Sequence, residues 1–152
     1  MTGNLSSSPG SEKPFLRIFK HVRLKAEPDD GTRLLIMRFW PRGVRKDHVH
    51  EWIRGLAPSR ALLKWCWSNQ GDIDPETFAN TWKVRYREEM AGQTDLIENL
   101  CERLRSGESV TLLCACHNPE MCHRTVLAEI INMKLISGGG ESIGNLRPDK
   151  IC

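Results

Sequence analysis

The segment from Cys114 to Arg124 concentrates the side chains that can do chemistry, because it holds three of the six cysteines and two of the five histidines. Cys122 follows a proline-containing turn, so we expect it to enter the first turn of the next helix. The helix dipole and neighbouring cations lower the pKa of a thiol placed there. We therefore predict Cys122 or Cys114 as a catalytic thiolate. His123 would carry the proton, and Arg124 would bind an anionic group of the ligand.

The same segment supports two other interpretations. Zinc takes four nitrogen or sulfur ligands in a tetrahedron, and the candidate ligands are Cys114, Cys116, His117 and Cys122. Zinc is the one cofactor that the sequence suggests, although the spacing is not that of paired C-x2-C knuckles. Alternatively, the cysteines only pack in the core, since free cysteine is among the most buried residue types. The residues leave all three interpretations open.

A second unusual segment, from Arg38 to His50, interleaves basic and aromatic residues. Trp40 could stack on a planar ligand while Arg38 and Arg42 hold an anion. The predicted ligand-binding residues here are Arg38, Trp40, Arg42 and Gly43. We expect them to form one wall of a composite pocket, with the cysteine segment as the other wall. The alternative, in which Trp40 packs in the core and the basic residues are exposed to solvent without binding a ligand, stays open.

The two segments can form one site only if the strands that precede them end close together. Arg33–Trp40 is a nearly continuous apolar run that Pro41 stops, and Ser109–Ala115 is similar, so both predict buried strands. Phe15–Lys25 alternates apolar and basic residues, which indicates an edge strand. Ligands of parallel α/β sheets bind outside the carboxyl ends of the strands. Both unusual segments follow such ends, so a site is expected there.

Helical signals fill the rest of the chain. Ser59 and Asp74 are candidate N-caps, and two further helices are predicted after Thr94 and after about Glu120. A short helix is expected around 48–53. The apolar stripe of the second long helix predicts core packing of Phe78, Trp82, Tyr86 and Met90. Trp65 and Trp67 are interpreted as closing the core. This order predicts a single-domain α/β fold with a small, mostly parallel sheet flanked by helices.

Composition sets the boundaries of the domain and its class. We expect a flexible tail at 1–14, the α/β domain at 15–137, and a Gly-rich tail or short edge strand at 138–152. With 39% hydrophobic and 27% charged residues, the chain is not mostly disordered. It has neither an apolar leader nor a run of about 18 apolar residues. The sequence thus predicts a cytoplasmic protein with reduced cysteines and no membrane partner.

Basic residues concentrate in the first third of the chain. Residues 12–60 carry 12 Lys and Arg against 6 Asp and Glu, whereas the whole chain has a net charge of only +3. This asymmetry favours a small anionic, nucleotide-like ligand. Nucleic acid is a possible partner but is not favoured, because the overall charge is low. If the protein is not an enzyme, the alternative is a zinc-binding module that contacts nucleic acid through this basic third.

Several short motifs give the sequence a family resemblance. They are Arg38-x-Trp40-Pro-Arg-Gly43, Leu56-Ala-Pro-Ser59, Leu63-x-Trp65, Tyr86-x-x-Glu89 and Val110-Thr-Leu-Leu113. Through them the chain resembles, from Phe15 to Ile131, the YeaO-like members of domain of unknown function 488. The Cys122-His-Arg124 motif is similar to that of another branch of this family. The resemblance implies a fold and a site, but no reaction.

Two positions depart from the pattern of the resembling proteins. Met37 stands where an Asp is usual before the Arg-x-Trp motif, and Cys116 stands where a Glu is usual after Cys114. Any role of those acids in the relatives is therefore absent here. Cys116 instead adds a third sulfur to the segment, which is compatible with metal or redox chemistry.

Overall fold

One parallel sheet forms the centre of the fold. The computed structural model describes residues 15–18, 20–116 and 122–137, so the two predicted tails and His117 lie outside the described residues. The strands are β1 (Leu16–Arg17), β2 (Thr32–Leu35), β3 (Glu51–Trp52) and β4 (Val110–Leu113). They pair in the order β1-β4-β2-β3, all in parallel. The predicted single-domain α/β class is confirmed.

Among the described residues, four α-helices pack on this sheet. They are α1 (Arg60–Asn69), α2 (Pro75–Met90), α3 (Thr94–Arg105) and α4 (His123–Ser137). Both predicted N-caps are confirmed, since the side chains of Ser59 and Asp74 each accept a backbone N–H bond of 3.0 Å from the first turn. None of the helices among the described residues combines the length and apolar character needed to cross a bilayer.

Burial of the two central strands, β2 and β4, explains why their sequences lack polar alternation. All four residues of β4 are buried, and Leu34 and Leu35 of β2 are fully buried. The single hydroxyl in β4, on Thr111, donates a hydrogen bond of 2.6 Å to the Asp30 carbonyl. Burial on both faces therefore selects apolar residues at successive positions, as predicted.

The edge strands differ from the sequence predictions. Among the described residues of the predicted Phe15–Lys25 strand, β1 pairs with β4, and His21 forms an isolated bridge with Cys114. The short helix expected around 48–53 is misplaced, because a 3-10 helix covers Lys46–His48 and β3 follows it at Glu51–Trp52. His50 and Ile53 donate backbone hydrogen bonds of 2.9 Å to β2, which would otherwise lack a partner on that side.

The core lies between the sheet and helices α2 and α4. Trp82, Tyr86 and Met90 are buried, and half-buried Phe78 stacks on Trp65 at 5.4 Å, so the predicted core stripe is confirmed. The prediction for Trp67 is wrong, because this side chain is 67% exposed. Successive helical residues are about 100° apart, so Trp65 and Trp67 point in opposite directions.

A buried carboxylate joins β1 to β2. Asp30 is fully buried and accepts hydrogen bonds from the side chains of Arg17, Lys20 and Arg33. Burial raises the pKa of Asp30, but the Glu27 backbone N–H and the Lys20 and Arg33 side chains outweigh it and lower that pKa. The ionised carboxylate therefore stabilises the fold.

We predict that Asp30→Asn destabilises the protein by about 3–5 kcal/mol, because it leaves buried cations without their anion. Urea denaturation measures the change. The matched control is Asp29→Asn, since the neighbouring carboxylate is 72% exposed and its bond to Arg17 is long, at 3.5 Å. Its cost should stay below about 1 kcal/mol. Equal losses in the two variants would contradict the importance of the buried carboxylate.

The same carboxylate predicts the acid side of the stability profile. Its pKa in the folded state lies below its value in the unfolded chain, about 3.9. The stabilisation is therefore complete above that value and is lost as the pH falls from about 4 through the lower, folded pKa. Thermal unfolding of the wild type should show this loss. The Asp30→Asn variant should lose less stability over the same pH range.

Candidate functional site

Three cysteine sulfurs meet at the carboxyl end of the sheet. Cys114 and Cys116 follow β4 directly, and Cys122 immediately precedes α4. Their Sγ atoms all lie within 4.8 Å of one another, and those of Cys114 and Cys116 are 3.6 Å apart. Cys114 and Cys122 are buried, whereas Cys116 is half-buried. These three residues are called the cysteine cluster below.

A buried guanidinium supports the cluster. Arg124 is 1% exposed and donates through Nε to Cys122 Sγ at 3.1 Å. Its Nη1 donates to the Lys20 carbonyl at 2.7 Å and its Nη2 to the Cys116 carbonyl at 3.0 Å. No Asp or Glu within the described ranges lies at ion-pairing distance from it. Since an unpaired buried charge is costly, the Cys122 sulfur is the bonded group among the described residues that can balance it.

His123 lies between the cluster and β2. Its Nε2 is 2.5 Å from the Ile36 carbonyl, which can only accept, so this nitrogen carries a proton. The assignment of the tautomer follows from this hydrogen-bond network. Nδ1 then faces Cys122 Sγ at 3.8 Å, where it can take a thiol proton or donate to a thiolate. The ring of Tyr86 packs edge-on against the imidazole at 5.5 Å and fixes its orientation.

The three thiols differ in acidity. Burial raises the pKa of Cys122, but hydrogen bonds from Cys114 and Cys116 and the charge of His123 outweigh it, so this pKa lies well below its ordinary value. The hydrogen bonds that Cys114 makes to the other two sulfurs raise its own pKa. A bond from Cys114 lowers the pKa of Cys116, but its bond to Cys122 and burial raise it to about 12. The geometry therefore favours one thiolate and two thiols.

A cavity of about 280 Å³ opens beside the cluster. We call it the thiol cavity; its lining includes Arg38, Phe39, Leu63, Trp67, Cys114, Cys116 and His123. Cys122 does not line it, so a ligand in the cavity meets the sulfurs of Cys114 and Cys116 first. Sequence reasoning missed Phe39 and Trp67 as cavity residues, and only their positions near the predicted strand end and helix start could have indicated them.

Of the four residues predicted from the second segment, the thiol cavity includes Arg38. The ring of Trp40 instead packs on Trp52 at 5.3 Å, and its Nε1 donates to the Val44 carbonyl at 2.8 Å. Arg42 and Gly43 line a separate depression of about 360 Å³. The chain turns away after Trp40, and Gly43 adopts a positive φ of 81° in this turn.

The loop from Leu56 to Ser59 supplies another part of the cavity wall, through Pro58. Tyr86 donates its hydroxyl to the carbonyl of Leu56 at 2.7 Å, and Glu89 accepts from the backbone and side chain of Ser59. Arg38 donates to the two carbonyls between them at 3.0 and 3.1 Å. The motifs that gave the resemblance therefore build this wall. In the sequence, the polar groups of Tyr86 and Glu89, one helical turn apart, could have indicated this wall.

The chain is similar to proteins of one known family. A family model described as the active DUF488-N3 subclade matches residues 17–135. The chain belongs to this family. It is 36% identical over 108 residues to the uncharacterized protein Rv3073c of Mycobacterium tuberculosis, covering 70% of this chain and 85% of the relative. It is 32% identical over 113 residues to the uncharacterized protein YeaO of Escherichia coli, and this alignment covers 72% of this chain and 91% of the relative. No solved structure matches. The predicted membership of the YeaO-like family is confirmed.

We predict that Arg124→Lys destabilises the protein strongly. A lysine has one nitrogen and cannot reach three acceptors at once, and each buried carbonyl left without a donor costs about 1–3 kcal/mol. The matched control is Arg87→Lys, because the Arg87–Glu129 pair is about half exposed. That variant should lose less than about 1 kcal/mol. Chemical denaturation of both variants measures the difference, and equal stabilities would refute the supporting role of Arg124.

Proposed function

We propose that this protein is a thiol-dependent enzyme that acts on a small anionic ligand in the thiol cavity. The observation that carries the proposal is the buried Arg124 guanidinium bonded to Cys122 Sγ, without a carboxylate partner among the described residues. A cation in this position stabilises the thiolate form of Cys122. A thiolate is the reactive form of cysteine in covalent catalysis.

The sulfurs of the cysteine cluster have different roles in this proposal. Cys116 lines the cavity and is the sulfur that meets the ligand, whereas Cys122 holds the negative charge behind it. As the Cys116 sulfur bonds to an electrophilic carbon, its proton passes to the Cys122 thiolate. His123 Nδ1 then takes this proton and donates it to the leaving group as the bond between that group and the carbon breaks, so the ligand stays joined to Cys116 and Cys122 is again a thiolate. Water then hydrolyses the bond to Cys116, and a proton of the water returns to the Cys116 sulfur. The hydrogen bond from Cys114 orients the Cys116 sulfur.

Charge favours an anionic ligand. Arg38 is part of the cavity wall, and no Asp or Glu of the described residues lines the cavity. The cluster's own negative charge is balanced by the adjacent guanidinium. A cytoplasmic location, as predicted from the sequence, suits this chemistry because the cytosol keeps cysteines reduced.

A metal centre is the second candidate, and the positions of the sulfurs favour it. Four ligands at about 2.3 Å from zinc in a tetrahedron lie roughly 3.8 Å from one another. The Cys114 and Cys116 sulfurs are 3.6 Å apart, and all three sulfurs lie within 4.8 Å. The predicted fourth ligand, His117, lies outside the described residues. A bound metal would occupy the sulfurs that the first candidate needs free.

The ultraviolet absorbance of thiolate, followed against pH, tests the proposal without requiring a reagent to reach a buried sulfur. We expect one thiolate per chain to form well below the ordinary cysteine pKa of about 8.5, and to be lost in Cys122→Ser. Cys66→Ser is the control, since burial raises the pKa of Cys66 and its removal should leave the signal unchanged.

Metal analysis of the same untagged protein separates the two candidates. Metal-free protein with the early thiolate supports thiol catalysis. About one zinc per chain, lost in Cys116→Ala, would replace thiol catalysis with the metal centre. Metal-free protein without a thiolate at neutral pH would leave the cluster as packing and refute both candidates.

A further inference from the structure

A shallow groove continues outward from the thiol cavity. Its lining includes Phe39, Arg60, Leu63, Lys64 and Trp67, and its volume is about 520 Å³. Phe39, Leu63 and Trp67 line the thiol cavity as well, so the two spaces adjoin each other at these three side chains. We call this outer space the aromatic groove. Both volumes lie close to the range of small-molecule sites, about 300–1,000 Å³.

Two aromatic rings are exposed at the junction of these spaces. Phe39 is 45% and Trp67 is 67% exposed. The helix that carries Trp67 also carries Trp65, which packs on the core, so α1 is anchored without the second ring. Exposed aromatic groups that cluster beside a cavity mark a binding surface. Their flat faces suit a planar ligand, because stacking on an aromatic ring tolerates every base.

The cations of the groove have no acidic partner among the described residues. Within the described part of the chain, neither Arg60 nor Lys64 forms an ion pair. They stand four residues apart on α1, so they share one face and repel each other. The Arg60 guanidinium lies over the Phe39 ring at 5.3 Å, which places its charge beside the aromatic surface. An anion bound between these cations would remove the repulsion.

We infer that the ligand of the proposed enzyme is a nucleotide, with its base against Phe39 and Trp67 and its phosphate on Arg60 and Lys64. This places the base at the entrance of the thiol cavity, next to Cys116. The inference rests on the proposed function for its chemistry, but the binding itself depends only on the groove. A free nucleoside monophosphate matches both the planar face and the two adjacent positive charges.

Isothermal titration of the full chain with AMP and UMP tests this inference. Both should bind, because stacking is tolerant of base identity, and adenosine should bind at least about tenfold more weakly than AMP. Trp67→Ala should weaken AMP binding by about tenfold or more. Lys64→Ala should also weaken it and make the affinity less sensitive to salt. Val84→Ala is the matched control, because Val84 is 55% exposed on α2, away from the groove, and should change nothing.

Three results would overturn the inference: no binding of AMP or UMP, equal affinities in Trp67→Ala and Val84→Ala, or binding of a 5′-phosphorylated single-stranded oligonucleotide without binding of either mononucleotide. Self-association that Trp67→Ala abolishes, in protein that binds no AMP, would instead identify the groove as a contact between copies of this chain.

The thiolate titration, repeated on Trp67→Ala, separates this inference from the proposed function. Failed AMP binding with an intact thiolate overturns the nucleotide assignment and leaves thiol catalysis standing. AMP binding by a wild-type chain that shows no early thiolate supports the nucleotide site and overturns thiol catalysis.

Discussion

A single buried guanidinium determines how the carboxyl end of this sheet is arranged. Arg124 joins the loop after β1, through the Lys20 carbonyl, to the loop after β4, through the Cys116 carbonyl, and to Cys122 at the start of α4. A charged group so deeply buried is stable only when its donors are used and its charge is balanced. Arg124 therefore fixes the position of the cysteine cluster, and its bond to Cys122 Sγ adds to the contacts from Cys114, Cys116 and His123 that lower the pKa of Cys122.

Lys20 connects this arrangement to the other end of the sheet. Its backbone carbonyl accepts from Arg124, while its ammonium group bonds to the buried Asp30 before β2. The short strand β1 pairs through only two residues, so these polar contacts hold the segment that the sheet alone holds weakly. The carboxylate network therefore contributes to the site indirectly, by fixing the backbone against which Arg124 is placed.

The sequence predicts those parts of the site that local pattern determines. The apolar run of β4 and the predicted start of α4 bring Cys114, Cys116 and Cys122 together, because strand ends and helix starts meet at one edge of a parallel sheet. The α/β class and the core stripe of α2 are predicted for the same reason, since burial shapes a regular pattern. Local pattern also predicts the caps of α1 and α2, whereas the predicted cap of α3, Thr94 or Asp95, is wrong because the N-cap is Gln93.

Long-range contacts decide the rest, and no local pattern encodes them. Arg38 and Trp40 are two residues apart in one basic and aromatic segment, yet Arg38 bonds to the Leu56–Ser59 loop and Trp40 packs on Trp52. A two-residue strand such as β3 has too few positions to show a period. The sequence does not show which side of α1 is exposed, because Trp65 and Trp67 are equally apolar. Only packing against α2 distinguishes the two side chains.

The charge distribution resolves an apparent conflict between a thiolate and an anionic ligand. Two negative groups in one cavity would repel each other, but the Cys122 sulfur forms a close pair with the Arg124 guanidinium. The field of such a pair falls off faster with distance than that of an isolated charge. The sulfurs that line the cavity belong to Cys114 and Cys116, whose raised pKa values favour neutral thiols. Under the proposed function, an incoming anion would meet neutral sulfur and the Arg38 wall, while the negative charge that the proposed reaction uses lies on Cys122, one hydrogen bond from the cavity sulfurs.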